Sequence, residues 1–158
     1  MKWRLDDEIV GEGPLKSKYE KFLINYNLPF IKFIGILSQK EVFERLAQDT
    51  DILVHTSFKE GTPHVILEAL SCGVPVICHD AFGMTTAIDD KSGIKIPLSS
   101  PNISIDGFKN AILHLINHPE ELQRLKEGAI NRAKELSWDS MTKKIAKDYN
   151  SISLTKSK

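Results

Sequence analysis

Along this chain, short apolar runs alternate with stretches whose apolar residues recur every three or four positions. Strands and helices taking turns in this way predict a Rossmann-like α/β fold, a parallel sheet flanked by helices. Leu5–Val10 reads as a weak first strand, interrupted by Asp6, Asp7 and Glu8, and Gly11-Glu12-Gly13-Pro14 turns the chain. Tyr19, Phe22, Leu23 and Tyr26 have helical spacing and predict a helix over 15–27, stopped by Pro29. Phe30–Ile34 is a strand closed by Gly35, and 41–48 a short helix with Val42, Phe43 and Leu46 inward. Asp51–His55 is the next strand. A polar loop, Thr56–Gly61, leads into a helix from Pro63 to Ser71 that Gly73 ends as a left-handed cap. The continuous apolar run Pro75–Cys78 predicts a strand buried on both faces. Gly83–Ile88 reads as a loop and Gly93–Ile96 as a last strand. Helices are predicted over 105–117, 119–135 and 138–149. Residues 1–150 are therefore read as one domain and 151–158 as a polar tail.

Composition narrows the partners. The 158 residues hold 21 Lys plus Arg against 21 Asp plus Glu, so no net charge points to nucleic acid. No apolar run approaches the roughly 20 residues of a membrane span. Met1-Lys2-Trp3-Arg4 leads into acidic residues instead of an apolar signal segment, so the expectation is a cytoplasmic protein with Cys72 and Cys78 as reduced thiols.

In sheets of this kind, ligands lie beyond the carboxyl ends of the strands. Three places qualify: the Gly11–Pro14 turn, the turn at 35–37, and the loop from Thr56 to His64. The third is chemically the richest. Thr62 is a good N-cap and Pro63 suits the first helical position, leaving the N–H groups of the first turn to face an anion such as a phosphate. Gly61 permits close approach of a ligand to the backbone. Glu60 precedes this anion site and Glu68 follows it, about 12 Å further on if the whole span were helical. A nucleotide sugar has the matching layout of hexose hydroxyls, diphosphate and ribose diol. The bland alternative is two solvated carboxylates.

Other candidates are weaker. His114 and His118 have metal-ligand spacing but no third ligand nearby, so no metal and no cofactor are expected. His55 and His79 end strands at the ligand edge, where a role near the donor competes with plain packing. His64 is placed to act through its backbone. Cys78 has no base beside it, and 120–127 reads as a solvated helix face.

The composite Asp51 through Ile77, with Ser57, Glu60-Gly61, Leu67-Glu68-Ala69 and Gly73-Val74-Pro75-Val76, closely resembles the group 1 glycosyltransferases, also called family 4. Gly11-Glu12-Gly13-Pro14, Phe33-Ile34-Gly35 and Ser137-Trp138 fit the same family pattern, so the resemblance covers nearly the whole chain. It implies the C-terminal, nucleotide-sugar-binding half of a GT-B enzyme. Such an enzyme would transfer a sugar with retention from a UDP-, GDP- or ADP-type donor, without a metal, in polysaccharide or glycolipid synthesis. By resemblance, Glu60 contacts the donor hexose and stabilises positive charge at its anomeric carbon. Thr62, Pro63, His64 and Val65 hold the diphosphate and sugar hydroxyls by their backbone, and Glu68 takes the ribose diol. Gly35 and Ile36 lie beside the base, and Gly13 near the nucleotide.

Two departures stand out. The family's Gly-Arg turn and following lysine, which grip the diphosphate, would precede residue 1. The first strand-helix unit and the acceptor-binding N-terminal domain are therefore expected to be missing, leaving a chain inactive by itself and open to self-association through its sheet. Lys16 and Lys18 sit in a different loop. The family's glutamate shortly after the glycine at position 83 is also absent, and the loop offers only hydroxyls there. The rival readings are a nucleotide-binding fragment that catalyses nothing and a GT-B sugar-nucleotide epimerase.

Overall fold

The computed structural model describes residues 6–61 and 63–155. Leu5, Thr62 and the last three residues of the predicted tail lie outside the described residues. The chain divides into two compact units, Met1–Arg45 and Leu46–Lys158.

In the first unit, β1 (Asp7–Val10) pairs in parallel with β2 (Ile31–Gly35), in register from Asp7 opposite Ile31. A slip between Ile9 and Val10 brings Val10 opposite Gly35. Helix α1 (Lys16–Asn25) connects the strands and buries no residue completely. Of the side chains that set its predicted spacing, Tyr19, Phe22 and Tyr26 are exposed, and Phe22 packs instead on Tyr26 at 4.4 Å between ring centres. The spacing is helical, but the stripe it makes is half open. Asn27 ends the segment at φ 52, a conformation that Asn tolerates better than most residues.

Helix α2 (Gln39–Gln48) starts two residues before the predicted position. The cause is a capping box. The Ser38 N–H donates to Glu41 Oε2 at 2.8 Å, and the Glu41 N–H donates to Ser38 Oγ at 3.3 Å. The Ser38 hydroxyl, donating to the same Oε2 at 2.6 Å, and the Ser38 N–H hold the Glu41 carboxyl below its usual range. Of the three residues expected inward, Leu46 is buried, Val42 half-buried and Phe43 exposed. The division between the units falls within α2, after Arg45.

The second unit carries β3 (Leu53–His55), α3 (His64–Ser71), β4 (Val76–His79), α4 (Phe82–Ala87), β5 (Gly93–Ile96), α5 (Pro101–Asn117), α6 (Pro119–Glu135) and α7 (Trp138–Thr155). The strands form a parallel sheet in the order β3-β4-β5. All four residues of β4 are buried, as its unbroken apolar run requires. On one face, Ile77 and Ile96 join Ala111, Leu115, Leu122 and Leu125 of α5 and α6 in the core. Helix α3 packs against β3, β4 and α6.

Helix α3 stops as predicted. Gly73 has φ +75, its N–H bonds the Leu70 carbonyl at 3.0 Å, and the Val74 N–H bonds the Ala69 carbonyl at 2.9 Å. That pair of bonds is the Schellman motif. Three elements depart from the predicted ones. Helix α5 begins at Pro101 because Ser100 caps it, its Oγ accepting from the Ile103 N–H. Helix α7 continues to Thr155, so part of the predicted polar tail is helical. Residues 82–87 form α4 where a loop was expected, with Met84 and Ala87 buried and Arg132 donating to the carbonyls of Thr86 and Ala87. Among the described residues, no helix is long and apolar enough to cross a membrane.

Candidate functional site

The candidate residues fall at the carboxyl ends of strands in both units. In the first unit, the Gly11 N–H donates to the Gly35 carbonyl at 2.7 Å and joins the two turns. Gly13 lies on one of these turns, and Gly35 and Ile36 on the other. Gly35 has φ +78, a conformation that favours glycine; a Cβ there would stand 3.2 Å from the tip of the Glu12 side chain. Ile36 is 78% exposed. Lys16 donates to Glu12 Oε1 at 2.7 Å, and this partner raises the lysine's pKa. The lysine is thus held within its own turn.

In the second unit, β3 ends at His55 and its loop runs to the start of α3. Pro63 has φ −62 and ψ 129, so it occupies the cap position and the helix begins at His64. This moves Pro63 one place from its predicted position. Thr62, the predicted cap, lies outside the described residues. Among the described residues, no side chain caps this end. Pro63 is buried, Val65 half-buried, and His64 and Gly61 exposed. A Cβ built on Gly61 would meet nothing within 4 Å, so its surroundings leave room.

Glu60 is held at its backbone. Its carbonyl lies 3.5 Å from the Gly83 N–H at the start of α4. Its Oε1 lies 3.7 Å from Nε2 of His55, and its side chain stays 38% exposed. That separation is too long for a hydrogen bond, and the buried Nε2 has no hydrogen-bond partner. Glu68 is half-buried on α3. It stands one turn beyond His64, about 6 Å along the axis and on the same face. Because 56–63 is not helical, the carboxylates are not spaced by a continuous helix, as the 12 Å figure had assumed.

The two strand-end histidines differ. His55 sits beside Glu60, whereas His79 is 1% exposed and bonded to Ser57 and Ser104. Burial removes His79 from direct contact with a ligand. The rings of His114 and His118 stack at 4.3 Å, and no cluster of three metal-ligating side chains occurs among the described residues. Burial pushes the Cys78 thiol up to about 11, which keeps it protonated at neutral pH.

Sequence reasoning missed Phe82, whose φ of 51 is a rare conformation for a bulky side chain, and Phe58, 63% exposed over His79. The buried spacing of Met84 and Ala87 is the signal that would have found α4.

The sequence profile described as glycosyl transferases group 1 matches residues 6–132. A glycosyltransferase of Methanocaldococcus jannaschii, itself uncharacterized, is 31% identical over 147 residues, covering 92% of this chain and 40% of the relative. The O-antigen chain mannosyltransferase B of Escherichia coli is 27% identical over 120 residues, covering 76% of this chain and 30% of that enzyme. Among solved structures, a mutant of S. aureus TarM in complex with fondaparinux, α-GlcNAc-glycerol and UDP superposes with a TM-score of 0.74 at 26% identity. The superposition covers 90% of this chain and 28% of that one. The chain thus spans less than half the length of these relatives.

Proposed function

The chain belongs to the group 1 glycosyltransferases and has their GT-B-type α/β fold, and we propose that it is the donor-binding part of a retaining enzyme. The observation that carries this proposal is the open start of α3 with Glu60 anchored before it and Glu68 one turn inside it. In transfer, the bond between the anomeric carbon and the diphosphate oxygen breaks, the electron pair leaving with the diphosphate, while an acceptor hydroxyl oxygen bonds the anomeric carbon and releases its proton. The first-turn N–H groups and the positive end of the α3 dipole offset that growing negative charge. Glu60 offsets the positive charge developing on the sugar, and Glu68 holds the ribose. Charge neutralisation in this scheme comes from the helix terminus.

UDP bound to TarM and the mannosyl specificity in the name of the E. coli relative support a nucleotide-linked hexose as donor and a polysaccharide or glycolipid as product. The relatives' greater length supports an acceptor held by sequence outside these 158 residues. The test is a titration of the chain with UDP-, GDP- and ADP-sugars followed by amide NMR. Shifts centred on His64–Glu68 with one base are expected. Saturating titrations that leave those amides unmoved would refute the proposal.

A further inference from the structure

His79 stands at the carboxyl end of β4 with both ring nitrogens engaged. Nδ1 lies 3.2 Å from the Ser57 carbonyl, and Nε2 lies 3.0 Å from Ser104 Oγ on α5. A carbonyl only accepts, so Nδ1 carries the proton and donates to Ser57, while Nε2 accepts from the Ser104 hydroxyl. The ring also lies between two aromatic rings: Phe108 edge-on at 5.0 Å and Phe58 tilted at 5.3 Å. Phe58 is otherwise mostly exposed, so its contact with His79 is the described ring contact that holds it down. His79 thereby grips two consecutive residues of the β3–α3 loop, one by its carbonyl and the next by its ring. Two residues further on comes Glu60, whose own carbonyl faces the Gly83 N–H.

We infer that His79 is a positioning residue for the donor carboxylate: it fixes Ser57 and Phe58 so that Glu60 stands where a donor sugar meets it. It acts through the loop and touches no substrate, being 1% exposed. Among its described residues, the loop between His55 and His64 contains no helix or strand. A ring fixed at the end of a fully buried strand transfers the rigidity of the sheet to the one segment of the site that lacks it. The inference rests on the reading of Glu60 as the residue that meets the sugar.

The experiment compares the chain with its His79→Leu, His79→Gln and His79→Asn variants. An Asn side-chain amide reaches the place of Nδ1 and restores the bond to Ser57. A Gln amide reaches the place of Nε2 and does not. Nitrogen-15 relaxation of Phe58–Gly61 is read without ligand, and affinities for UDP, GDP and their glucose and mannose forms are read separately. Leu and Gln are expected to drop the loop's order parameters from about 0.85 to below about 0.6. They are also expected to weaken nucleotide-sugar binding about tenfold, or roughly 1.4 kcal/mol, while sparing the bare nucleotide. Asn, which restores the bond to Ser57 but not the ring against Phe58, is expected to recover part of both. Equal loss in Asn and Leu, or parental behaviour in all three variants, would overturn the inference.

In the unsubstituted chain, histidine nitrogen shifts are expected to show the Nδ1–H tautomer for His79. The Nε2–H tautomer would overturn the inference even if every variant unfolded. If the parental chain binds no nucleotide at all, the functional proposal falls, while loop order still decides the role of His79.

Discussion

Replacing Gly73 by Ala isolates the physics that ends α3. Gly73 sits at φ +75, in the left-handed region where an L-residue costs roughly 1–2 kcal/mol. The new Cβ would lie 3.2 Å and 3.3 Å from Cγ1 and Cδ1 of Ile130 and 3.8 Å from the Lys126 carbonyl. The tight contacts are with a side chain that has some freedom to turn, so the backbone conformation dominates and the expected loss is about 1–2 kcal/mol. At about 2–4 °C per kcal/mol for a domain of this size, Gly73→Ala should lower the melting temperature by roughly 2–8 °C. Gly73→Asn, which tolerates this conformation better, should cost less. Thermal unfolding followed by circular dichroism at 222 nm reads both. A melting temperature for Gly73→Ala equal to that of the parent would refute the reasoning, because neither the conformational cost nor the contact with Ile130 would then exist.

Three further outcomes are expected. Cys72, half-buried, should react with a thiol reagent at pH 8 well before Cys78, whose burial raises its pKa to about 11; equal rates in the folded chain would contradict that burial. Desolvation pulls the Asp89 carboxyl up, but the hydroxyl of Ser92, the Lys91 N–H and the charge of Arg132 together outweigh it and bring it below its ordinary value. Its contribution is therefore complete above the ordinary aspartate pKa of about 3.9 and fades as pH falls through the lower folded value. Asp89→Asn should then destabilise the chain at pH 7 by an amount that shrinks as pH falls below about 3.9, as compared by melting temperature. Finally, the 158 residues alone should transfer no sugar from any nucleotide donor to added acceptors, as read by nucleotide release. Robust transfer would show that the acceptor is held within this chain.

Much of the fold is legible in local chemistry. Gly73 and Pro119 mark helix boundaries because their backbone demands are intrinsic, and the apolar run Pro75–Cys78 announces the double burial of β4. Where elements were missed or shifted, the determinant was a specific side chain or a distant partner. Ser38 with Glu41 spells a capping box that moves the start of α2, a signal present in the sequence but outweighed by apolar spacing. Helix α4 depends on Met84 and Ala87 finding the core and on Arg132, 45 residues beyond Ala87, binding its last carbonyls. The predicted stripe of α1 has helical period but stays open, because spacing specifies a face and not what covers it. In the candidate site, the motif singled out Glu60 and Glu68 and put the start of α3 one residue early. The grip of His79 on Ser57 was not legible, since it joins the end of one strand to the loop after its neighbour through the register of the sheet, nor was the approach of Glu60 to His55, which depends on how the loop between them folds.

The central claim is that Glu60 and Glu68 meet different parts of one donor. It is tested most directly by titrating the parental chain, Glu60→Ala and Glu68→Ala with UDP and GDP and with their sugar forms. A lost hydrogen bond to a charged group is worth about 1.5–3 kcal/mol, or one to two decades of affinity. The account predicts that Glu68→Ala weakens the bare nucleotide and the nucleotide sugar alike, whereas Glu60→Ala weakens only the sugar form. Two folded variants that bind both ligands as the parent does would contradict it.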